Sequence, residues 1–339
     1  MRLRLATLSD GSRDGVLVVS RAETGEHFFR CGDRYPTMLA ALEKWELFEA
    51  DLASGAAVSG PEVLEVDVMR AGPALRRTWQ ALFASAYGNR AVRVAQTAMT
   101  PSTDESVKEA PLMYQGASAG FLGPGDALDM HDADAELDLE PEIAIVTDYV
   151  PQATTAREAH RHIRLVALIN DFTYRAIVRR ERELRFGFIQ GKPASAMAPI
   201  ALTPAALGAC WRDGVLHASV AVARNGEMVG RMPTHEMHFD FAHLIEHAAT
   251  TRSLPAGTLI SSGTVSSIAA EGAASLIELR ALQRSRAEAL TPFLQDADTV
   301  AINVMDDQQR SLFGKLENWI RVGAGAKVRT ETQTARTVP

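Results

Sequence analysis

The sequence predicts an α+β protein in which strands predominate. Short apolar runs bounded by turn residues recur along the chain, for example at residues 15–19, 143–146 and 300–304. Asn225 and Gly226 stand between two apolar runs, a pairing typical of a tight β-hairpin. Apolar residues at helical spacing are confined to a few segments. The predicted fold is therefore mostly β with a minority of helices.

Residues 1–72 are expected to form a small N-terminal β domain. Strands are predicted at residues 3–7 and 15–19, on either side of a turn. Thr37 can cap a helix that runs to Ala53, where apolar residues recur at roughly helical spacing. A loop rich in small residues closes this region, and we place the domain boundary near residue 72.

Residues 73–325 are expected to form one larger domain of strands with a few helices. Helices are predicted at residues 156–163, 173–186 and 239–251, and strands at residues 143–146, 164–171, 199–202, 258–263, 275–279 and 300–304. The last segment, residues 326–339, is polar without apolar periodicity and is expected to be disordered.

Composition excludes several classes of protein. The 339 residues are 46% hydrophobic, which suffices for a large core, and the net charge of −7 does not suit a nucleic-acid binder. The first residues contain no apolar signal region, and no run of eighteen apolar residues occurs, so a cytoplasmic location is expected. Cys31 and Cys210 are too few for a metal cluster or a disulfide framework, and we expect reduced thiols.

Acidic residues alternate in the stretch LDLEPEIAIV. Asp138, Glu140 and Glu142 would share one face of a strand, about 6.6 to 6.8 Å apart along the chain. A second apolar strand ends at Asp171. Carboxylates from two strand ends form an all-oxygen site that suits Mg²⁺, Mn²⁺ or Ca²⁺. On pattern alone, solvated or turn-capping roles are the more common ones for acids at strand ends.

The order of motifs resembles the fumarylacetoacetate hydrolase family. The matching pieces are D-x-E-x-E before an apolar run, N-D about thirty residues later, then PLMYQG, FGFIQGKPAS and LISSGTVS, within residues 87–319. The first residues resemble those of longer bacterial members with an N-terminal β domain. The resemblance implies a mixed β-roll or β-sandwich catalytic domain, a homodimer, and a divalent metal, with Mg²⁺ favoured, that binds a 1,3-dicarbonyl or β-keto acid.

The resemblance also implies roles for individual residues. Glu140, Glu142 and Asp171 match metal ligands. Lys192 matches a lysine that holds the substrate, and Thr264 matches a substrate-contacting threonine. Tyr114 matches a tyrosine of the substrate pocket, and Glu278 matches a glutamate that orients the catalytic histidine. Asp138 is left as either a neighbour of the site or a solvent-facing acid.

The stretch FASAYGNR departs from the family pattern. Phe83 stands where a fourth acidic ligand is expected, and Arg90 stands where the water-activating histidine is expected. Phenylalanine cannot ligate a metal, and arginine stays protonated, so it cannot act as a general base. Loss of such a base costs roughly 10²- to 10⁴-fold in rate. Arg90 is instead expected to pair with Glu278 or to bind a substrate carboxylate.

Three functions therefore remain open. The family resemblance implies hydrolysis of a carbon–carbon bond. The changes at Phe83 and Arg90 favour a non-hydrolytic reaction that needs only an electron sink, such as decarboxylation, tautomerisation, dehydration or cyclisation. The third possible function is that of a non-catalytic scaffold, which binds a dicarboxylate or a partner without turnover. The retained Lys192 and carboxylates argue against this function.

Other charged and histidine residues carry weaker signals. His131 is interpreted as an exposed loop residue, with replacement of the lost base as the alternative. The H-x-x-H pair at His235 and His238 lacks the context of a zinc protease, and His243 and His247 lack a third ligand. The arginines of the basic helix are predicted to form a solvated face, with one substrate-facing arginine as the alternative; they are Arg175, Arg179, Arg180, Arg182 and Arg185.

Overall fold

A computed structural model of the chain describes residues 1–21, 27–70, 72–88, 110–267, 270 and 272–323. Within these ranges strands predominate over helices, so the predicted α+β, mostly β fold is confirmed. None of the described helices is long and apolar enough to cross a bilayer. Both cysteines are free thiols, as predicted.

The strands follow one another along the whole described chain. They are β1 (Leu3–Leu8), β2 (Val16–Arg21), β3 (His27–Cys31), β4 (Val58–Leu64), β5 (Gln80–Ala84), β6 (Met113–Gln115), β7 (Ala127–Met130), β8 (Leu137–Asp138), β9 (Pro141–Thr147), β10 (Ile163–Asn170), β11 (Thr173–Tyr174), β12 (Ala196–Met197), β13 (Ile200–Leu202), β14 (Trp211–Arg212), β15 (Val215–Leu216), β16 (Ser219–Arg224), β17 (Glu227–Pro233), β18 (Thr258–Ser261), β19 (Thr299–Met305) and β20 (Leu316–Val322).

The helices are shorter and fewer. They are α1 (Met38–Leu42), α2 (Trp45–Ser54), α3 (Glu65–Val68), α4 (Ala156–Ala159), α5 (Arg175–Leu184), α6 (Pro204–Leu207), α7 (Phe241–Ala249) and α8 (Leu276–Ser285), with 3-10 turns at Ala133–Ala135, His160–His162 and Gly208–Cys210.

Two mixed sheets form the framework. The large sheet has the order β4-β3-β2-β1-β13-β10-β9-β18-β5-β6, and β12 pairs with β10 beside this path. The second sheet has the order β17-β16-β19-β20-β7. Parallel pairing occurs between β18 and β5 and between β20 and β7, whereas the other pairs of named strands are antiparallel.

Strand β9 lies between two apolar cores and every one of its residues is buried. Ile143 and Ile145 face one core, and Ala144 and Val146 face the other. Successive side chains of a strand point to opposite faces, so a strand covered on both faces is apolar throughout. This burial places the Glu142 carboxylate of β9 in a site largely screened from water.

The N-terminal segment continues the large sheet. Strand β1 pairs with β13 in antiparallel register, with Leu5 opposite Ala201. Thr37 caps α1 by accepting a hydrogen bond from the N–H of Ala40 at 3.2 Å, as the sequence predicts. The single predicted helix is in fact two, α1 and α2. The domain boundary near residue 72 stays a prediction, and the tail 326–339 lies outside the described residues.

One predicted strand is wrong. Residues 275–279 were expected to be extended, but they begin helix α8, with Ser275 at its N-cap position. A short apolar run does not distinguish a strand from a buried helix turn. The hairpin prediction is confirmed: β16 and β17 pair around Asn225 and Gly226, both with positive φ.

Candidate active site

Three carboxylates converge at one end of the β9–β10 pair. Glu142 lies opposite Ile169, and the N–H of Asp171 donates to the carbonyl of Glu140 at 2.8 Å. This antiparallel register brings the start of β9 beside the end of β10. One carboxylate oxygen from each of Glu140, Glu142 and Asp171 lies within 4.8 Å of the others. We call these three residues the carboxylate triad; all three are buried.

Lys192 lies against the triad. Its Nζ donates to Glu140 Oε2 at 2.7 Å, to the hydroxyl of Thr173 at 2.7 Å, and to Asp171. The Thr173 hydroxyl in turn donates to Glu140 Oε2 at 2.8 Å. An ammonium group is thus fixed beside two carboxylates inside the protein, where charge–charge attraction is strong.

Arg175 supplies a second buried cation that the sequence interpretation missed. Its Nη2 donates to Glu140 Oε1 at 2.6 Å, and its Nε donates to Asp138 Oδ2 at 2.8 Å. The prediction of a solvated arginine face is therefore wrong for Arg175, although Arg180, Arg182 and Arg185 are exposed. Its position as the first residue of α5, directly after β11, was the available signal.

Asp138 is fully buried, which excludes the solvent-facing alternative. Besides pairing with Arg175, it accepts hydrogen bonds from the N–H groups of Leu276 at 2.7 Å and Ile277 at 3.1 Å. These are the first N–H groups of α8, whose positive end favours a carboxylate. Asp138 thereby ties Arg175 to the helix that carries Glu278.

Hydroxyl groups complete the surroundings of the triad. The Tyr114 phenol donates to Asp171 Oδ2 at 2.6 Å, and the Ser195 hydroxyl donates to Asp171 Oδ1 at 3.0 Å. The Ser261 hydroxyl donates to Glu142. Ser195 and Ser261 were not predicted as site residues, although they lie in the stretches FGFIQGKPAS and LISSGTVS that carry the family resemblance.

Thr264 and Glu278 are also buried. The N–H of Val265 donates to the carbonyl of Pro141 at 2.9 Å, which places Thr264 beside the stretch that carries two triad residues. The Thr264 hydroxyl has no hydrogen-bond partner among the described residues. Glu278 lies in the first turn of α8. Arg90 lies outside the described residues.

The position of the expected fourth acid is apolar. Phe83 is buried at the next-to-last position of β5, and its ring stacks on that of Tyr114 with centroids 5.2 Å apart and an interplanar angle of 17°. The described structure thus offers three carboxylates at this site and an aromatic ring where the family pattern has an acid.

Three of the histidines singled out in the sequence make contacts other than with the triad. His131 is exposed, and its ring packs edge-on against Tyr174 at 5.6 Å. His235 stacks on His217 at 5.1 Å, and His243 pairs with Asp240 at 2.8 Å. The donors to the triad named above are a lysine, an arginine, a tyrosine and hydroxyl side chains, and none is a histidine.

Charge is unbalanced at the site. Burial, followed by the charges of Asp171 and Glu140, raises the pKa of Glu142 well above its ordinary value. Burial by itself would lower the pKa of the Lys192 ammonium, but the carboxylates of Asp171 and Glu140 raise it above its usual value. Burial also raises the pKa of the Tyr114 phenol well above its usual value. Lys192 and Tyr114 therefore stay protonated.

The excess of negative charge suits a divalent cation. The triad and Asp138 carry four carboxylates, whereas Lys192 and Arg175 carry two positive charges. With all four carboxylates ionised, two negative charges would remain. Burial, followed by the charges of Asp171 and Glu140, raises the pKa of Glu142 and so opposes that state until a cation binds. A buried set of hard oxygen donors with this charge fits Mg²⁺, Mn²⁺ or Ca²⁺ rather than zinc.

Comparison with known families decides the assignment. The family model described as "Fumarylacetoacetate (FAA) hydrolase C-terminal" matches residues 82–321, and "Fumarylacetoacetase N-terminal domain 2" matches residues 3–60. The chain belongs to the fumarylacetoacetate hydrolase family. The family resemblance predicted from sequence motifs is confirmed, together with its catalytic fold and added N-terminal domain.

One curated relative of this chain is "Oxaloacetate tautomerase YisK" of Bacillus subtilis (strain 168). The two are 24% identical over 172 residues, which is 50% of this chain and 55% of the relative. The match therefore spans about half the length of that protein.

Three solved structures share the fold over nearly the whole chain. Fumarylacetoacetate hydrolase from Exiguobacterium antarcticum is 17% identical, with a TM-score of 0.62 over 95% of this chain and 100% of that chain. 5-carboxymethyl-2-hydroxymuconate delta-isomerase from Mycobacterium smegmatis is 16% identical, with a TM-score of 0.58 over 95% of this chain and 100% of that chain. Maleylpyruvate hydrolase from Sphingobium sp. SYK-6 is 14% identical, with a TM-score of 0.59 over 94% of this chain and 100% of that chain.

Proposed function

We propose that this chain is a divalent-cation-dependent enzyme that stabilises the enolate of a 1,3-dicarbonyl or β-keto acid and catalyses keto–enol tautomerisation rather than hydrolysis. The observation that carries the proposal is the ammonium of Lys192, on a side chain only 10% exposed, beside the carboxylate triad and near the position where the buried Phe83 replaces an acid. The site keeps the groups that would stabilise an enolate, namely Lys192 and the carboxylates that would hold a cation. The stretch that would activate water has Arg90 in place of the expected histidine.

Glu140, Glu142 and Asp171 would hold the cation, with Mg²⁺ favoured and Mn²⁺ or Ca²⁺ compatible with the same oxygens. When bound, such a cation polarises carbonyl oxygens and stabilises negative charge on them. The Tyr114 phenol and the Ser195 and Ser261 hydroxyls keep the carboxylates oriented.

Lys192 is proposed to stabilise the negative oxygen of the substrate. Its ammonium stays charged because the surrounding carboxylates raise its pKa. A fixed cation aimed at developing negative charge lowers the barrier without reorganisation during the reaction. Thr264, whose buried hydroxyl has no partner among the described residues, is proposed to donate a hydrogen bond to the substrate.

The proton balance favours tautomerisation. Hydrolysis needs a base that removes a proton from water, and Arg90 cannot serve because its guanidinium stays protonated. Tautomerisation moves one proton from the enol oxygen to carbon and consumes no water. The similarity to an oxaloacetate tautomerase over half the chain supports this reaction.

Hydrolysis of a carbon–carbon bond is the second candidate. The buried position of Glu278, in the first turn of α8, favours it, because this residue matches the glutamate that orients the family's catalytic histidine. Under this candidate, Arg90 is proposed to pair with Glu278 and to bind a substrate carboxylate. Under this candidate, the wild type should cleave its substrate as well as or better than the double variant F83D/R90H. Cleavage by the double variant alone would instead show that the natural reaction is not hydrolysis.

The proposal is tested by following loss of enol absorbance with oxaloacetate and a panel of acylpyruvates. We expect the rate to depend on Mg²⁺ or Mn²⁺ and to fall with a chelator. K192M removes the ammonium from the triad, and we expect a loss of about 10²- to 10³-fold. K315M changes an exposed lysine paired with Glu317 and serves as the matched control. A K192M rate equal to that of K315M would overturn the proposal.

A further inference from the structure

We propose that Phe83 is a positioning residue for the carboxylate triad, acting through Tyr114, and that Gly116 is its matched partner. The inference rests on the cation site of the proposed function. It assigns a role to an aromatic residue at a position where the family pattern has an acid.

Strand register places Phe83 at the centre of a row of residues that face the triad. In the large sheet, Phe83 of β5 pairs with Ser261 of β18 on one side and with Tyr114 of β6 on the other. Residues paired across strands project to the same face. Both neighbours donate to the triad, Ser261 to Glu142 and Tyr114 to Asp171. The ring of Phe83 thus separates two of the groups that orient the carboxylates.

The ring of Tyr114 is held on several sides. Phe83 stacks on it at 5.2 Å, and Phe188 meets it edge-on with centroids 5.3 Å apart. The Lys192 ammonium lies 5.4 Å from the centroid of the same ring. Such contacts fix the plane of an aromatic side chain. With its plane fixed, the Tyr114 phenol reaches Asp171 Oδ2 at 2.6 Å.

Gly116 makes room for the ring of Phe83. A β-carbon at position 116 would lie 2.4 Å from Phe83 Cε2, 2.7 Å from Cδ2 and 3.4 Å from Cζ, and these are its three nearest atoms. Gly116 does not have a positive φ, so its backbone conformation is open to alanine. The obstacle to a side chain at position 116 is therefore the ring of Phe83 itself. A methyl group there tests the position of the ring without altering the triad.

The test measures Mn²⁺ affinity by calorimetry together with the melting temperature. We expect F83A, G116A and Y114F each to weaken Mn²⁺ binding about tenfold or more, the size typical of changes to groups that orient metal ligands. F83A/Y114F should bind no more weakly than Y114F, because Phe83 acts through the phenol. F83A/G116A should bind no more weakly than F83A, because the ring that excludes a methyl group is gone.

Two matched controls separate positioning from general packing. F48A removes a buried ring from α2 in the N-terminal segment, and G323A adds a methyl group where no atom lies within 4 Å. F48A should lower the melting temperature and leave Mn²⁺ affinity unchanged, and G323A should change neither. F83L, which keeps an apolar side chain without the planar ring, repeats the test if F83A does not fold.

The inference is overturned if folded F83A and G116A bind Mn²⁺ as tightly as the wild type. It is equally overturned if F83A weakens binding by the same factor with and without the Tyr114 hydroxyl. A wild type that binds neither Mn²⁺ nor Mg²⁺ would instead remove the cation site of the proposed function, and this inference with it.

Discussion

Arg175 shows how single residues balance charge at this site. Its guanidinium bridges Asp138 and Glu140 within the protein, and Lys192 bridges Glu140 and Asp171 beside it. Arginine suits the bridging position because its planar group presents several donors in fixed directions. Each cation therefore holds two carboxylates that would otherwise repel each other.

Removal of Arg175 should destabilise the protein strongly. R175M leaves the buried Asp138 and Glu140 without this partner, and breaking a buried pair in this way costs about 3–5 kcal/mol. R180M, at an exposed position of the same helix, should change the free energy of unfolding by less than about 0.5 kcal/mol. Urea unfolding of both variants checks the difference. Equal free energies would show that Arg175 is not required.

Cation binding should release a proton from Glu142. Burial and the neighbouring charges of Asp171 and Glu140 raise its pKa, so the cation-free protein retains a proton there at pH values below that raised pKa. A divalent cation needs the ionised carboxylate, so affinity should fall as pH falls through this range. Calorimetry in two buffers with different heats of ionisation measures the released proton. Identical heats in both buffers, or proton release retained in E142Q, would contradict the assignment.

At the scale of elements, pairing between distant strands builds the site. Phe83, Tyr114 and Ser261 meet because β18, β5 and β6 are neighbours in the large sheet. The N-terminal strands extend this sheet, since β1 pairs with β13, which also contacts β10. Strand β10, which ends just before Asp171 of the triad, is therefore linked through β13 to strand β1 of the N-terminal segment by backbone hydrogen bonds.

The shared sheet predicts that the N-terminal segment and the catalytic domain unfold together. Scanning calorimetry of the whole chain should show one transition. Deletion of residues 1–72 removes β1 and exposes the edge of β13, so the shortened chain should aggregate or fail to fold. Two separate transitions, or a folded shortened chain that still binds Mn²⁺, would show that the two parts are independent.

Local sequence signals predicted the elements they govern directly. The Thr37 cap and the Asn225-Gly226 hairpin are confirmed because each depends on a few adjacent residues. The strand predicted at residues 275–279 is a helix, since its N-terminus is stabilised by Asp138, which is distant in sequence. Burial of Arg175 was missed for the same reason. Motif resemblance identified the triad, whereas spacing alone left its role open.

At the scale of the whole molecule, the site draws on residues from position 83 to position 261. These residues converge because the large sheet is mixed and its strands are not in sequence order. The family model for the catalytic part matches residues 82–321, which include all of these positions. A homodimer in the cytoplasm remains a prediction from family resemblance and composition.

The most direct test of the central claim is the mass of the product formed from an enolised β-keto acid or acylpyruvate by the wild type with Mg²⁺. We predict that enol absorbance disappears while the product keeps the mass of the substrate, because a proton moves and no bond between carbons breaks. Two fragments whose masses sum to substrate plus water would contradict the account and establish hydrolysis.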